Sequence, residues 1–197
     1  MARRRVHSDD QILDAARDLL VAHGAAAATT GAISERSGAP VGSIYHHFGS
    51  RTALLARLWT RTVQRFQEDL LSATAAAPPG IPRAVAAAAS SVDFALTRPA
   101  DARLLLLARR DDLLGSDEVP PGTKATLATL NTPVTALISQ LATEIYGSSS
   151  PDHLELVTLA VVDLPYAVIR RHLLADNLTP AHQTLVTTTT RTLLRSR

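Results

Sequence analysis

The chain has 197 residues, of which 46% are hydrophobic, 19% charged and 4% aromatic, and it contains no cysteine. The lack of cysteine excludes disulfides, thiolate metal sites and a cysteine nucleophile. The apolar fraction and the formal charge of +2 are those of a folded chain rather than a disordered one. No apolar run reaches the roughly 18 residues that span a bilayer, and the polar residues after the N-terminal arginines do not fit a signal peptide. We therefore expect a cytoplasmic protein with no membrane partner.

Positive charge is concentrated in the first third of the chain. Residues 1–65 contain nine arginines and five acids, a net charge of +4, whereas residues 66–197 contain eleven cations and thirteen acids, a net charge of −2. Four of the seven histidines also lie before residue 66. This excess favours a polyanionic partner for the N-terminal part. It is also compatible with an ordinary solvated surface, so charge alone leaves both interpretations open.

Helix-favouring residues run through the whole sequence. Alanine and leucine are abundant, strictly alternating β-branched runs are scarce, and glycine and proline fall mostly between the periodic segments. No repeat of about 20 to 50 residues is present. The sequence therefore predicts an all-α fold.

The first two predicted helices have clear start and stop signals. Ser8 and Gln11 form the Ser-x-x-Gln pattern of a capping box, and Gly24 ends the first helix. A threonine at position 29 or 30 caps a short second helix, which ends at Gly38. The Gly-Ala-Pro sequence that follows predicts a tight turn, because glycine accepts a left-handed backbone and proline presets φ for the next helix.

The third predicted helix is short and the fourth is long. The third covers residues 41–47, and Ser50 caps the fourth, which runs from Arg51 towards Leu71. A linker rich in proline follows over residues 73–82. Proline or glycine opens each of five further helices, predicted over residues 82–97, 99–114, 122–146, 151–175 and 180–195.

Two short helices joined by a glycine-containing turn, behind a longer first helix, are typical of a helix-turn-helix DNA-binding domain. Val41, Gly42 and Ser43 give the third helix a thin N-terminal end, which fits a major groove about 12 Å wide. Tyr45 and the histidines that follow lie on the rim of this helix, where hydroxyl and imidazole groups reach phosphate oxygens. The pattern thus indicates binding to double-stranded DNA.

Residues 29–55, TTGAISERSGAPVGSIYHHFGSRTALL, resemble the DNA-binding core of the TetR family of bacterial transcriptional regulators. The resemblance extends over about residues 8–60. The matching positions are Thr29, Ile33 with Ser34, Gly38, residues 42–48 and Arg51. Three positions depart from the family's pattern: Pro40 replaces a common serine, Ser34 an alanine, and Arg51 a lysine.

The resemblance implies which residues contact DNA. Phosphate contacts are implied for Thr29, Tyr45, His46 and Arg51, and proximity to base edges for the first residues of the third helix and for His47. Ile33, Ile44 and Phe48 are expected in the core. The whole expected DNA-binding set is Arg3, Arg4, Arg5, Thr29, Thr30, Val41, Gly42, Ser43, Tyr45, His46, His47 and Arg51.

Arginines outside the third helix are open to more than one interpretation. Those at positions 3 to 5 form a basic arm, which either enters the adjacent minor groove or is a disordered tail. Arg57, Arg61 and Arg65 lie four residues apart on one stripe of the fourth helix. We expect these three to be mostly solvated, with Arg57 nearest to a bound duplex.

The remainder of the chain resembles the family only in its general layout, which implies a variable effector-binding and dimerisation domain. Residues 151–175 are apolar around much of a helix, and Leu185, Val186, Leu193 and Leu194 add a second strip. These two helices are expected to pair with their copies in a four-helix homodimer interface; the alternative is a single internal core. The predicted domains are an arm (1–7), a helix-turn-helix domain (8–50), a connecting helix (51–72) and the effector domain (73–197).

A ligand pocket is predicted between the fourth to eighth helices of the chain. Few charged residues interrupt these helices, which favours an uncharged or hydrophobic small molecule. Pro165 is expected to kink an apolar helix and so to couple the pocket to the DNA-binding heads, unless it is a passive bend. The candidate pocket residues are Trp59, Phe66, Phe94, Leu105, Leu137, Tyr146 and Tyr166.

The favoured function is a ligand-responsive transcriptional regulator, a repressor that binds a palindromic operator as a homodimer and is released by a small molecule. A small helical enzyme is the main alternative, but the chain lacks a P-loop, a dinucleotide-binding turn, a nucleophile elbow and a His-Glu-x-x-His pair. No catalytic residue, metal site or cofactor is predicted. A DNA-binding protein without an effector is the third possibility.

Overall fold

The computed structural model describes residues 8–107 and 121–196, and its regular elements there are all helical, as the sequence predicts. No helix within these ranges is long and apolar enough to cross a membrane. In chain order the elements are α1 (Asp9–His23), a 3₁₀ turn (Ala25–Ala27), α2 (Thr30–Ser37), α3 (Val41–Phe48), α4 (Arg51–Ala76), α5 (Ile81–Thr97), α6 (Pro99–Leu107), α7 (Pro121–Thr129), α8 (Thr132–Tyr146), α9 (Pro151–Thr158), a π-helical turn (Leu159–Asp163), α10 (Leu164–Leu174) and α11 (Pro180–Arg195).

Two predicted boundaries in the middle of the chain are wrong. The fourth helix continues to Ala76, so the connection before α5 shrinks to residues 77–80, because its alanines favour helix over linker. The single helix predicted over residues 122–146 is divided into α7 and α8. Pro133 explains this break, since it has no N–H to donate to the carbonyl of Thr129 and its ring would clash with that carbonyl. The basic arm and the end of the helix predicted to reach residue 114 lie outside the described residues.

The chain divides into two compact units, the first formed by the described parts of residues 1–63 and 103–129. The core of this unit joins the first four helices to Leu104 of α6. Ile12, Ile33, Ile44 and Leu54 are almost completely buried there. The division between the units falls inside α4, after Val63, and the predicted domain boundaries stay a prediction.

The second unit comprises residues 64–102 and 130–197. In it, α5 packs along α11, and small buried residues of α5, Ala84 and Ala87 among them, permit this close approach. Val186 and Leu194 of α11 are buried inside the unit, whereas Leu185 is 52% exposed. The alternative of an internal core therefore accounts for Val186 and Leu194.

A π-helical turn interrupts the apolar helix immediately before Pro165. Within this turn the N–H of Leu164 donates to the carbonyl of Leu159, which deprives the Ala160 carbonyl of its usual α-helical donor. The next residue, Pro165, has no N–H to offer in its place. The buried hydroxyl of Thr190 on α11 donates to this carbonyl at 3.0 Å. A side chain from another helix thus supplies the hydrogen bond that the backbone at Pro165 cannot donate.

We expect the substitution Thr190→Val to lower the free energy of unfolding by about 1–3 kcal/mol, because it leaves a buried carbonyl without a donor at nearly unchanged volume. Urea denaturation followed by circular dichroism measures the change. Thr188→Val is the matched control, since Thr188 lies exposed on the same helix; its effect should stay within about 0.5 kcal/mol. Equal effects of the two substitutions would contradict this role of Thr190.

Candidate nucleic-acid interface

Two serines fix the turn between α2 and α3. Gly38 ends α2 in the left-handed conformation, with φ of 73°. The Ser34 hydroxyl donates to the carbonyl of Ala39 at 2.7 Å, and the Ser37 hydroxyl accepts from the N–H of the same residue at 3.2 Å. Ser34, a departure from the family's usual alanine, therefore has a local structural role: it binds the turn to α2.

The two sides of α3 have opposite environments. Ile44 and Phe48 are buried in the core of the first unit, 2% and 6% exposed. Tyr45 and Val41 are 52% and 42% exposed, and the outward face between them contains Gly42, His46 and the half-buried Ser43. Pro40 precedes the helix and makes no side-chain capping bond, as its missing hydroxyl predicts. The result is a thin, exposed helical edge held by two large apolar anchors.

Thr29 and Arg51 stabilise the segment that leads into α2. The Thr29 hydroxyl accepts from the N–H of Ala32 at 3.2 Å, which makes this residue the N-cap of α2, while Thr30 is half-buried in its first turn. Arg51 donates through Nε to the carbonyl of Ala28 at 2.7 Å and through Nη2 to the carbonyl of Ala25. Both residues were expected at phosphates, and both make structural hydrogen bonds here.

Each arginine of the α4 stripe lies beside an acid. Arg61 lies 2.6 Å from Asp10 and 2.7 Å from Asp14, and only 14% of its side chain is exposed. Arg65 lies 3.4 Å from the buried Asp101 of α6. The expectation that these arginines are mostly solvated is wrong for Arg61. The signal for this pairing was available in the sequence, since α1 presents acids at matching helical spacing.

Asp9 pairs with His47 and Arg57, two residues for which the sequence indicated no partner. Its Oδ1 lies 2.7 Å from Nδ1 of His47, and its Oδ2 lies 2.8 Å from Nη2 of Arg57. The guanidinium of Arg57 also lies over the ring of Phe48, 5.3 Å from its centroid. We call Asp9, His47, Phe48 and Arg57 the Asp9 cluster. It connects α1, α3 and α4, and His47 is exposed within it.

Another acid of α1, Asp18, forms an ion pair with α2. Asp18 lies 2.9 Å from Arg36 and 2.9 Å from Arg17. Burial alone would raise the pKa of Asp18, but the hydrogen bonds and charges of Arg36 and Arg17 outweigh this effect and hold the pKa below its usual range. The carboxylate therefore stays charged at neutral pH and connects α1 to α2.

The seven candidate pocket residues do not form one group. In the first unit, Trp59 and Leu105 are half-buried. In the second, the rings of Phe66 and Phe94 meet edge to face with centroids 5.4 Å apart. The ring of Tyr146 stacks on His153 at 4.6 Å. Tyr166 is 48% exposed on the outer side of α10.

An open groove of about 520 Å³ lies in the second unit between α4, α5 and α8. Of the candidate pocket residues, only Leu137 lines it. The other lining residues are Leu71, Thr74, Ala75, Arg83, Pro133, Ala136 and Gln140. Arg83 pairs with Glu144 and also donates to the backbone at Thr74 and Ala77, so its charge is already engaged.

The helical fold and the helix-turn-helix unit define the class of protein, a DNA-binding regulator. Residues 12–58 match the family model of the bacterial regulatory proteins of the tetR family. By this match the N-terminal helix-turn-helix segment is similar to the DNA-binding domain of that family. No curated protein matches the sequence.

Solved structures with a similar fold cover nearly the whole chain. The fatty acid degradation regulator FadR from Bacillus halodurans has 18% identity and a TM-score of 0.73, over 96% of this chain and all of that one. FadR from Bacillus subtilis, solved in complex with stearoyl-CoA, has 13% identity and a TM-score of 0.73, over 96% of this chain and 98% of that one. AmtR from Mycobacterium smegmatis has 22% identity and a TM-score of 0.68, over 98% and 88% of the two chains.

We expect Arg51→Lys to lower the free energy of unfolding by about 1–3 kcal/mol, although it keeps the positive charge. A single ammonium group cannot reproduce the fork that donates to two separate carbonyls. Thermal and urea denaturation measure the loss. Arg191→Lys, an exposed residue of α11, is the matched control. Unchanged stability of Arg51→Lys would mean that the two carbonyl contacts contribute nothing to the fold.

Proposed function

We propose that this protein is a ligand-responsive transcriptional repressor, which binds a palindromic operator as a homodimer in the cytoplasm and is released by a small molecule. The observation that carries the proposal is the two-sided environment of α3. Ile44 and Phe48 anchor the helix while Val41, Gly42 and Tyr45 lie exposed. The exposed side of such a helix can enter a major groove while its buried side stays packed against the core.

The exposed groups on α3 suggest that different residues contact the bases and the phosphates of DNA. Val41, Gly42 and Ser43 lie at its N-terminal end, where short side chains bring the backbone close to base edges. Tyr45 and His46 lie further along and have donor groups long enough for phosphate oxygens. Arg51 keeps one guanidinium nitrogen outside its two carbonyl contacts, so a phosphate contact there stays part of the proposal.

An exposed apolar stripe supports a homodimer. Leu159, Val162, Tyr166 and Leu174 recur at helical spacing along the π turn and α10, each at least 36% exposed. Leu185 of α11 is 52% exposed as well. Exposed apolar side chains that recur on one side of a folded chain favour association. In helix-turn-helix dimers in general the two recognition helices lie about 34–36 Å apart, one turn of DNA, which matches a palindrome.

The groove in the second unit supports a small apolar effector. Its volume of about 520 Å³ lies within the range of about 300–1,000 Å³ that is common for ligand sites. Leucine, alanine and proline provide most of its lining. The FadR structure from Bacillus subtilis contains stearoyl-CoA, which supports a ligand with an apolar chain. A fluorescence titration in which apolar compounds abolish DNA binding distinguishes such a regulator from a DNA-binding protein without effector.

Selection of bound duplexes from a random pool should yield a palindrome. With the selected duplex, Tyr45→Ala is expected to weaken binding to all sequences by a similar factor, because it removes a phosphate contact. Ser43→Ala is expected to change which bases are preferred, by about 1–3 kcal/mol at the affected position. Fluorescence anisotropy at a stated salt concentration measures both effects. The reverse pattern would overturn this assignment of contacts, and failure to bind any duplex would overturn the function.

Tyr166→Glu is expected to halve the molar mass measured by light scattering at micromolar concentration, because it places a charge in the proposed dimer interface. The fold should survive, since Tyr166 is 48% exposed within its own chain. Ser72→Glu, at an exposed position of α4, provides the control and should leave the mass unchanged. A monomeric mass for the unmodified protein would refute the homodimer.

A further inference from the structure

The Asp9 cluster fixes the protonation pattern of the His47 ring. Nδ1 of His47 lies 2.7 Å from Oδ1 of Asp9. A carboxylate oxygen only accepts hydrogen bonds, so the hydrogen between them belongs to Nδ1. A neutral imidazole has a single N–H, and the other ring nitrogen, Nε2, then has a lone pair and no hydrogen.

Other charged groups around His47 reinforce this arrangement. On α4, Arg57 occupies the second oxygen of Asp9 at 2.8 Å, so both carboxylate oxygens have fixed partners. On α1, the neighbouring Asp10 pairs with Arg61 at 2.6 Å. On α3 itself, the ring of His46 lies edge-on to that of His47 with centroids 5.6 Å apart. Asp9 is thus the carboxylate that bonds His47, while Arg57 places a positive charge on the far side of it.

His47 belongs to the proposed DNA-binding surface, so its fixed tautomer affects how the ring can contact a DNA phosphate. The ring is exposed in the last turn of α3. Phosphate oxygens accept hydrogen bonds and donate none. The neutral ring would present the lone pair of Nε2 to such an oxygen, which is repulsive. The protonated ring would instead donate from Nδ1 to Asp9 and from Nε2 to the phosphate, a cation between two anions.

We propose that Asp9 is a positioning residue that makes the contact of His47 with a DNA phosphate depend on a proton, so that the domain takes up one proton at His47 when it binds a duplex. This inference rests on the proposed function and adds its regulation by pH. DNA binding therefore strengthens as the pH falls. The added phosphate contact also makes the affinity of the protonated form more sensitive to salt.

The test compares the affinity of the selected duplex at about pH 6 and pH 8 for the unmodified protein and for His47→Asn. Asparagine retains an N–H that reaches Asp9 but cannot titrate. Relative to this variant, the unmodified protein should bind more tightly at low pH, by up to about tenfold per pH unit for one proton. Its salt dependence should also be steeper at pH 6 by about one phosphate, a change of about 0.9 in slope.

Two further variants isolate the contribution of Asp9. Asp9→Asn frees the tautomer, so neutral His47 can donate from Nε2, and the difference in affinity between the two pH values should shrink. His46→Asn, which changes the adjacent histidine, should retain that difference whatever its effect on affinity. Circular dichroism at both pH values confirms that each variant is folded.

Three results would overturn the inference. Equal pH dependence of the unmodified protein and His47→Asn would mean that no proton is taken up at His47. Weaker binding of the unmodified protein at low pH, relative to His47→Asn, would place the neutral Nε2 against an amino group of a base. Failure of every variant to bind any duplex at either pH would remove the proposed function itself, and this inference with it.

Discussion

The burial of Ile44 and Phe48 is the constraint on which the DNA-binding unit depends. A helix of eight residues is not stable by itself in water, because too few hydrogen bonds follow the costly first turn. The two anchors, 2% and 6% exposed, give α3 the stability that its own length cannot provide. Since both lie on one side, the opposite side is free to consist of small and polar residues. The exposed side of α3 is therefore a consequence of the burial of Ile44 and Phe48 on its other side.

Charge pairing within the first unit changes what its basic composition means. The N-terminal excess of arginine suggested a free cationic surface, but Arg36, Arg57 and Arg61 all face acids of α1. These pairs hold the helices of the unit together, and paired charges attract phosphate less than free ones do. Among the described residues, the groups of α3 are therefore better candidates for DNA contacts than these paired arginines.

The sequence predicted the local features of this unit and missed its long-range ones. Ser8, Gly38, Ser50 and either Thr29 or Thr30 were identified as caps. The structure gives this role to Ser8, Thr29, Gly38 and Ser50, and capping was predictable because it involves residues only three or four positions apart. The bond between Asp9 and His47 joins residues 38 positions apart. No helical periodicity specifies that contact, because it depends on the angle at which α1 and α3 pack. The groove in the second unit was missed for the same reason, and only Leu137 was anticipated in it.

The π-helical turn shows how one proline affects both sides of a helix. The buried residues Val157, Val161, Pro165, Ile169 and Leu173 recur every four positions, a longer period than the 3.6 residues of an α-helix. In an unbroken α-helix this stripe would rotate away from the core. A π turn contains more residues per turn than an α turn, so it rotates the stripe back towards α5. The same correction keeps Leu159, Val162 and Tyr166 together on the outside. The irregularity around Pro165 therefore allows one helix to serve an internal core and an exposed apolar surface at once.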